Sequence, residues 1–291
     1  MLPSFEYHRA TTLQEALDLL DKYGYEAKLL AGGTDLIVKM RDGLIKPKHL
    51  IDISELKELK FIEEDKDTIR IGALTPLSEI EKSPLVRKWA TVLCQAVEKM
   101  SCWHIKNSGT IGGNLCNASP AADTAPPLLV LGAELKIAGK DYERTVSVGE
   151  FFKGPGMTVM EPNELLTEII VSKMEESAGA SFQKLSQREG ALAIVSSCAL
   201  VLLSNEKVED VRIALGAVAP TPVRAKHAEE MLRGKEPSEA LIREACKEVL
   251  KDISPVTDVR GSRWYREEMS VVLTRRALLE AIDLMRCQNE G

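Results

Sequence analysis

The sequence predicts an α+β fold. Three observations carry that prediction. Short extended segments and single helices share the first two thirds of the chain without a regular βαβ rhythm. The final third opens on a pair of long apolar segments in hairpin order and closes on three helical periodicities. Two glycine turns, Ala31-Gly32-Gly33-Thr34-Asp35 and Thr110-Ile111-Gly112-Gly113-Asn114, lie beside extended segments, and neither has the G-x-G-x-x-G spacing of a doubly wound dinucleotide fold.

The elements follow in order. Thr12 and Glu15 form a capping-box pattern, Leu13, Ala16, Leu17 and Leu20 recur at helical spacing, and Gly24 is a stop, so residues 12–23 read as a helix. Residues 28–31 form a short strand that runs into the first glycine turn. Residues 49–53 and 68–72 are further strands, the latter with half-buried alternation. Ser83 caps a helix with Pro84 at its first position and an apolar stripe of Leu85, Trp89, Val92, Leu93, Ala96 and Val97. Residues 108–127 are small and polar and lack either period. A structureless loop of roughly 20 residues inside a compact domain is usually functional. Residues 128–137 return to the core and 164–171 form a strand. The polar stretch 172–180, SKMEESAGA, marks a boundary. Strands at 191–203 and 208–218 and helices at about 223–233, 238–251 and 263–287 complete the chain. The expected organisation is one domain over 1–175, with subdomains of about 1–55 and 56–175, and a second over 176–291.

Composition narrows the function. Of 291 residues, 44% are hydrophobic and 28% charged, ordinary for a globular protein, and the net charge of −6 without a basic block argues against nucleic-acid binding. The opening MLPSFEYHRA lacks a basic segment followed by an apolar run, and no apolar stretch reaches the ~18 residues of a membrane span, so a cytoplasmic location is expected. The six cysteines show no C-x-x-C pair and no zinc or iron–sulfur spacing, which predicts reduced, mostly buried thiols and no cluster on this chain. His8, His49, His104 and His227 are isolated, so no metal is expected. No catalytic triad or carboxylate pair stands out, and no catalytic side chain is assigned. Trp103 and His104, just before the second turn, read as a hydrophobic plug at the end of a helix or as the border of a bound ligand, and Trp264 and Tyr265 as packing on the C-terminal sheet.

The glycine turns carry the chemistry. Leu29 and Leu30 deliver Ala31, Gly32, Gly33 and Thr34 as successive N–H donors, and Thr34 adds a hydroxyl; a run of such donors can hold a phosphate. The alternative is a plain strand-to-helix turn with Asp35 as its cap. The second turn offers Gly113, Asn114, Asn117, Ser119 and Asp123, whose short polar groups suit phosphate or ribose. Asp123 could instead cap its own loop. Together the turns suggest a two-sided clamp on a pyrophosphate.

LLAGGTDL (29–36) and TIGGNLCNASPAADTAPPLLVLGAEL (110–135) resemble the two FAD motifs of the molybdenum hydroxylase flavin subunits, the FAD-binding components of xanthine dehydrogenase, carbon monoxide dehydrogenase and related enzymes. The opening FEYHRATTLQEALDLL is similar to that family's start. FFKGPGMT (151–158) and GAVAPTPVRAKHAEEML (216–232) resemble most the separate flavin subunit of bacterial xanthine dehydrogenases. The resemblance implies a FAD-binding PCMH-type fold of two α+β subdomains and a C-terminal domain with a small antiparallel sheet and three helices. It implies FAD as cofactor, with Leu29, Leu30, Ala31, Gly32, Gly33, Thr34 and Asp35 around the pyrophosphate. Thr110, Gly113, Asn114 and Asn117 would bind from the other side, and Asp123 at the ribose or adjoining phosphate region. Leu165 would lie by the cofactor through its backbone. Lys184 would lie near the flavin, although a solvated strand lysine reads equally well. The implied partners are a small [2Fe–2S] subunit and a large molybdopterin subunit that hydroxylates a purine. NAD+ is the implied electron acceptor, with ferredoxin or a quinone also compatible. A free-standing flavin oxidoreductase and a FAD-less assembly subunit are the alternatives.

Overall fold

The computed structural model describes residues 2–175 and 177–289. Residue 176, where the second domain is expected to begin, and the terminal residues 290–291 lie outside the described residues.

The chain opens with β1 (Glu6–Arg9), α1 (Leu13–Tyr23), β2 (Ala27–Leu30), α2 (Leu36–Arg41) and β3 (His49–Asp52). These strands make a parallel sheet of order β1-β3-β2. This first unit does alternate strand and helix, contrary to the expectation of no βαβ rhythm. The reason is β1: an edge strand of sequence EYHR, half-exposed along its length, carries no apolar alternation to reveal it. The α1 cap is as the sequence predicts, with the Thr12 hydroxyl accepting from Glu15 N–H and Gly24 ending the helix at φ +48°. The β1–β3 register also places His8 and His49 ring nitrogen to ring nitrogen at 3.1 Å, so these histidines are not isolated.

A second, antiparallel sheet follows, of order β4-β5-β10-β6-β7. Its strands are β4 (Ile62–Glu64), β5 (Thr68–Gly72), β6 (Glu134–Gly139), β7 (Tyr142–Ser147) and, after the small hairpin β8 (Phe152–Gly154) and β9 (Met157–Thr158), β10 (Leu165–Ser172). Between β5 and β6 run six short helices: α3 (Leu77–Lys82), α4 (Pro84–Trp89), α5 (Thr91–Glu98), α6 (Trp103–Ser108), α7 (Ile111–Cys116) and α8 (Ala125–Val130); α9 (Val148–Phe151) follows β7. Ile69, Ile71, Leu135, Ile137 and Ile169 of the sheet meet Leu93, Val97, Ile111, Leu115 and Leu128 of the helices in the largest core. Two expectations change here. The stripe after Ser83 is two helices, broken at Ala90, whose ψ of 43° leaves the helical region. Residues 108–127 are not structureless: they hold α7 and the start of α8, and the core run 128–137 is the end of α8 followed by β6. IGGNLC hides α7 because two glycines lower its propensity. APPLLV hides α8 because its prolines signal a break, yet they occupy the first turn, where a missing N–H costs nothing.

The last third is the antiparallel sheet β11 (Gly179–Ser186), β12 (Ala193–Ser204), β13 (Lys207–Gly216) and β14 (Val223–Arg224), with α10 (Lys226–Leu232), α11 (Glu239–Glu248) and α12 (Arg263–Asn289). Side chains alternate between the two faces of this sheet. Phe182, Cys198, Leu200 and Ala214 enter the core of the preceding helices, while Val195, Ala199, Val201, Ile213 and Leu215 face α10, α11 and α12. Burial on both faces explains the unbroken apolar run of β12. Arg266, only 2% exposed, donates to the Ile194 and Ala217 carbonyls and to Asp258 at the sheet's end. Its neighbours Trp264 and Tyr265 do not pack on that sheet as expected; Trp264 is 67% exposed. Trp103 is likewise no plug: it begins α6, 59% exposed, edge-on to His104. No helix among the described residues is long and apolar enough to cross a membrane.

Candidate functional site

The two glycine bends meet. A Cβ on Gly32 would lie 1.7 Å from the Ser108 carbonyl oxygen and 3.1 Å from the Gly109 Cα, so only glycine lets β2's exit approach this segment. Gly33 turns at φ +69°, in the region that favours glycine. Beyond the turn, Lys39 of α2 hydrogen-bonds the Asn117 side chain at the end of α7.

The bends differ in what they offer. The N–H groups of Ala31, Gly32, Gly33, Thr34 and Asp35 donate to no protein acceptor among the described residues. Asp35 occupies the N-cap position of α2, but its carboxylate makes no capping bond. The first turn is thus a run of open donors. The second is the N-terminus of α7, and its amides are taken: Ile111 donates to Thr75 O, Gly112 to Ala73 O and Gly113 to the Thr110 hydroxyl at 3.0 Å. Gly112 serves close packing, since its Cβ would sit 2.7 Å from the Ala73 carbonyl. The expected two-sided set of main-chain donors is therefore one-sided, and the second bend contributes side chains. The Thr124 hydroxyl donates to Asn114 Oδ1 at 2.6 Å, leaving the Asn114 amide nitrogen as a donor without a protein partner among the described residues.

Farther along, Lys184 of β11 places Nζ 2.6 Å from Asp123 Oδ2 and 3.1 Å from the Lys99 carbonyl. Both side chains are buried, at 3% and 6% exposure, so Lys184 is not the solvated strand lysine of the alternative reading. Nor does Asp123 cap its own loop; Ser119 does that, accepting from Ala121 and Ala122. Asp123 Oδ1 is buried without a hydrogen-bond partner. Burial pushes this carboxyl up to about 6, against the pull of the Lys184 ammonium. An unpaired buried acceptor is costly, on the order of 1–3 kcal/mol, which a ligand hydroxyl would relieve. Leu165, the first residue of β10, is buried in the apolar cluster that also takes Leu29 and Ala31, and its chain pairs with Ala138. Its side chain is closed to a ligand, the residue being 1% exposed.

Donors without acceptors thus stand at one end and an acceptor without a donor at the other, linked through Thr110, Asn114 and Thr124. This fits an anionic ligand that also carries sugar hydroxyls, as FAD does. Sequence reasoning missed Lys39, Thr124 and the Lys99 carbonyl. Lys39 follows the N-cap Asp35 by about one helical turn, a signal available only once α2 is recognised; the other two carry none.

Comparison with known proteins gives the family. Residues 3–173 match the family described as the FAD binding domain in molybdopterin dehydrogenase, and residues 180–281 match the CO dehydrogenase flavoprotein C-terminal domain. The chain is 33% identical over 276 residues to the carbon monoxide dehydrogenase medium chain of Hydrogenophaga pseudoflava, covering 95% of this chain and 96% of that one. It is 32% identical over 279 residues to the putative xanthine dehydrogenase FAD-binding subunit of Escherichia coli K12, covering 95% of each. Among solved structures, the Hydrogenophaga pseudoflava carbon monoxide dehydrogenase lacking the Mo-pyranopterin moiety is similar at a TM-score of 0.95 and 34% identity, over 97% of this chain and 99% of that one.

Proposed function

This chain belongs to the family of FAD-binding domains of molybdopterin dehydrogenases, and from that premise we propose that it is the flavin subunit of a heteromeric molybdenum hydroxylase that passes electrons from [2Fe–2S] clusters of a small partner to NAD+. It is an oxidoreductase component and FAD is its cofactor. Bound FAD supplies the change from single-electron to hydride chemistry.

The chain's own residues have the tasks of holding and orienting. Ala31 through Asp35 would direct their open N–H groups at the pyrophosphate, with Leu29 and Leu30 fixing the strand that delivers them. Gly113 keeps the facing wall free of side chain, and Thr110 holds that wall by capping α7. Asn114 would donate its free amide, while Asn117, tied to Lys39, keeps the two bends in register. Asp123 would accept from a ribose hydroxyl through Oδ1, oriented by Lys184 on Oδ2. Leu165 would bound the pocket through its backbone. The division into residues 1–175, with subdomains near 1–55 and 56–175, and 176–291 is part of the same proposal.

The partners are a small iron–sulfur subunit and a large molybdopterin subunit. Cys94, Cys198 and Cys246 are buried while Cys102, Cys116 and Cys287 are exposed, against the expectation of mostly buried thiols. The 151–158 and 216–232 segments favour a purine substrate. Substrate choice itself would belong to the large subunit.

The observation that carries this proposal is the run of open amides in the first turn, set against the segment that leads into α7. The test is the visible spectrum and composition of the purified complex. A flavin spectrum bleached by NADH, with both partner subunits co-purifying, is expected. A colourless chain overturns the cofactor site, and a flavin inert to NADH but reduced by ferredoxin overturns the acceptor.

A further inference from the structure

The N-terminal sheet carries a second cluster at the end away from the glycine turn. Strand alternation puts Glu6 and His8 on one face of β1. The parallel register sets His49, the first residue of β3, opposite Glu6. The result is a triangle of ligand atoms: His8 Nε2 to His49 Nδ1 is 3.1 Å, His49 Nδ1 to Glu6 Oε2 is 3.3 Å, and His8 Nε2 to Glu6 Oε2 is 3.9 Å. We propose that Glu6, His8 and His49 form a binding site for a divalent transition-metal ion of the zinc class.

The dimensions suit that ion. Zinc bonds nitrogen and carboxylate oxygen at about 2.0–2.2 Å in tetrahedral geometry, so ligand atoms lie roughly 3.3–3.5 Å apart along the tetrahedron's edges. One edge, 3.3 Å, matches; the His8–His49 edge is 0.2 Å short and the His8–Glu6 edge 0.4 Å long, and turning the exposed Glu6 side chain and the two rings closes those differences without strand movement. Two ring nitrogens that face each other at 3.1 Å can share one proton, or both can turn lone pairs to a cation. The rings are held in place: Tyr23, the last residue of α1, stacks on His49 with centroids 3.7 Å apart and on His8 at 5.1 Å. Restrained ligand rings lose little freedom on binding. The His8 and His49 side chains are 20% and 12% exposed, while the Glu6 side chain, at 72%, leaves the site open to solvent and to a water as fourth ligand. Glu6, His8 and His49 are also the one group among the described residues whose potential ligand atoms come together in this way.

The placement defines the ion's role. His49 pairs with Ala27 and Asp52 with Leu30, so the cluster lies three residues, about 10 Å, along the sheet from the exit of β2. An ion there joins the edge strand β1 to the central strand β3. Its role is structural, and it takes no part in electron transfer.

The test uses the purified full chain with FAD bound. Zn2+ is titrated against a chromophoric chelator, with the cysteines alkylated to remove competing thiolates. One equivalent is expected to bind and to raise the melting temperature. His8→Gln and His49→Gln should each weaken binding roughly a hundredfold, since changes even outside the first ligand shell cost 10–100-fold, and Glu6→Gln should weaken it less. Retained FAD in each variant reports that the fold survives. Should a variant fail to fold, Co2+ added to the unmutated alkylated chain is expected to give the visible bands of a tetrahedral nitrogen–oxygen site. No stoichiometric binding, binding unchanged in His8→Gln, or a six-coordinate cobalt spectrum would overturn the proposal.

Discussion

Replacing Gly32 with alanine tests the convergence of the two bends by adding one methyl group. Its Cβ would sit 1.7 Å from the Ser108 carbonyl oxygen, against a practical lower limit of 3.0 Å, so the segments must part by at least 1.3 Å. Neither yields easily. Leu30 O accepts from Ile53 N–H just before the turn, while Gly109 donates to Ile105 O and accepts from Leu77 N–H. Overpacking of this kind costs about 1–3 kcal/mol, and the loss of one bracing hydrogen bond adds about 1. A total of roughly 3 kcal/mol should lower the melting temperature of the FAD-stripped protein by about 6 °C. The open amides would move with the turn. Losing two charge-assisted hydrogen bonds, at about 1.5–3 kcal/mol each, predicts a more than hundredfold loss of FAD affinity. Flavin absorbance after gel filtration and calorimetry of the stripped protein read the two effects separately. Gly32→Ala protein with full flavin content and an unchanged melting temperature would refute the argument.

Gly113→Val should abolish flavin retention while leaving the fold intact: its Cβ would meet only the Thr110 hydroxyl, at 2.9 Å, at a cost of about 1 kcal/mol for the cap, but the added methyls would crowd the space between the bends. Normal FAD occupancy would contradict this. Asp123 governs pH dependence. Its folded pKa, about 6, lies above the unfolded value, so its contribution to the stability of FAD-free protein is complete below about pH 4 and is lost as pH rises through 6. Melting temperature should fall across that window in the native chain and less in Asp123→Asn. FAD affinity should change oppositely, rising by up to about tenfold per pH unit towards pH 6 because the ionised Oδ1 accepts the ligand's hydrogen bond; a dissociation constant flat from pH 5 to 7 would count against that contact. Arg266→Met should cost about 3 kcal/mol in urea unfolding, because Asp258 and two carbonyls lose a buried charged donor; a loss below about 1 kcal/mol would show that the sheet's end is held elsewhere.

Elements with strong periodicity or caps were legible in the sequence. Thr12 and Gly24 bracket α1, Thr68–Gly72 is the observed β5, and α11 and α12 begin where expected, whereas the helix expected from 223 starts only at Lys226 because Val223–Arg224 pair with β13 as β14. Elements whose stability comes from tertiary contacts were not. The polar β1 exists through its pairing with β3, and the glycine-rich α7 through its tight approach to Ala73. The site divides similarly. Gly32 and Gly33 announced a close approach and a left-handed turn, because glycine has few other uses in such a pattern. That the second bend spends its amides on Thr75, Ala73 and Thr110 depends on residues 36 and 39 positions earlier as well as on a local cap, and no local pattern records it. The burial of Lys184 against Asp123, 61 residues away, is likewise a property of the assembled fold.

β12 is buried on both faces, through its Cys198 and Leu200 on the side of the earlier helices and through its Val195, Ala199 and Val201 on the side of the later ones. The last third of the chain is therefore no detachable appendage. A fragment stopped before β11 would present bare hydrocarbon to water and be prone to aggregate, whereas a chain nicked between β10 and β11 should stay together and keep its shape. Chimeras made by exchanging that last third between related subunits would have to bring matching residues for both sides of one strand, so substitutions there are tied to the neighbouring half.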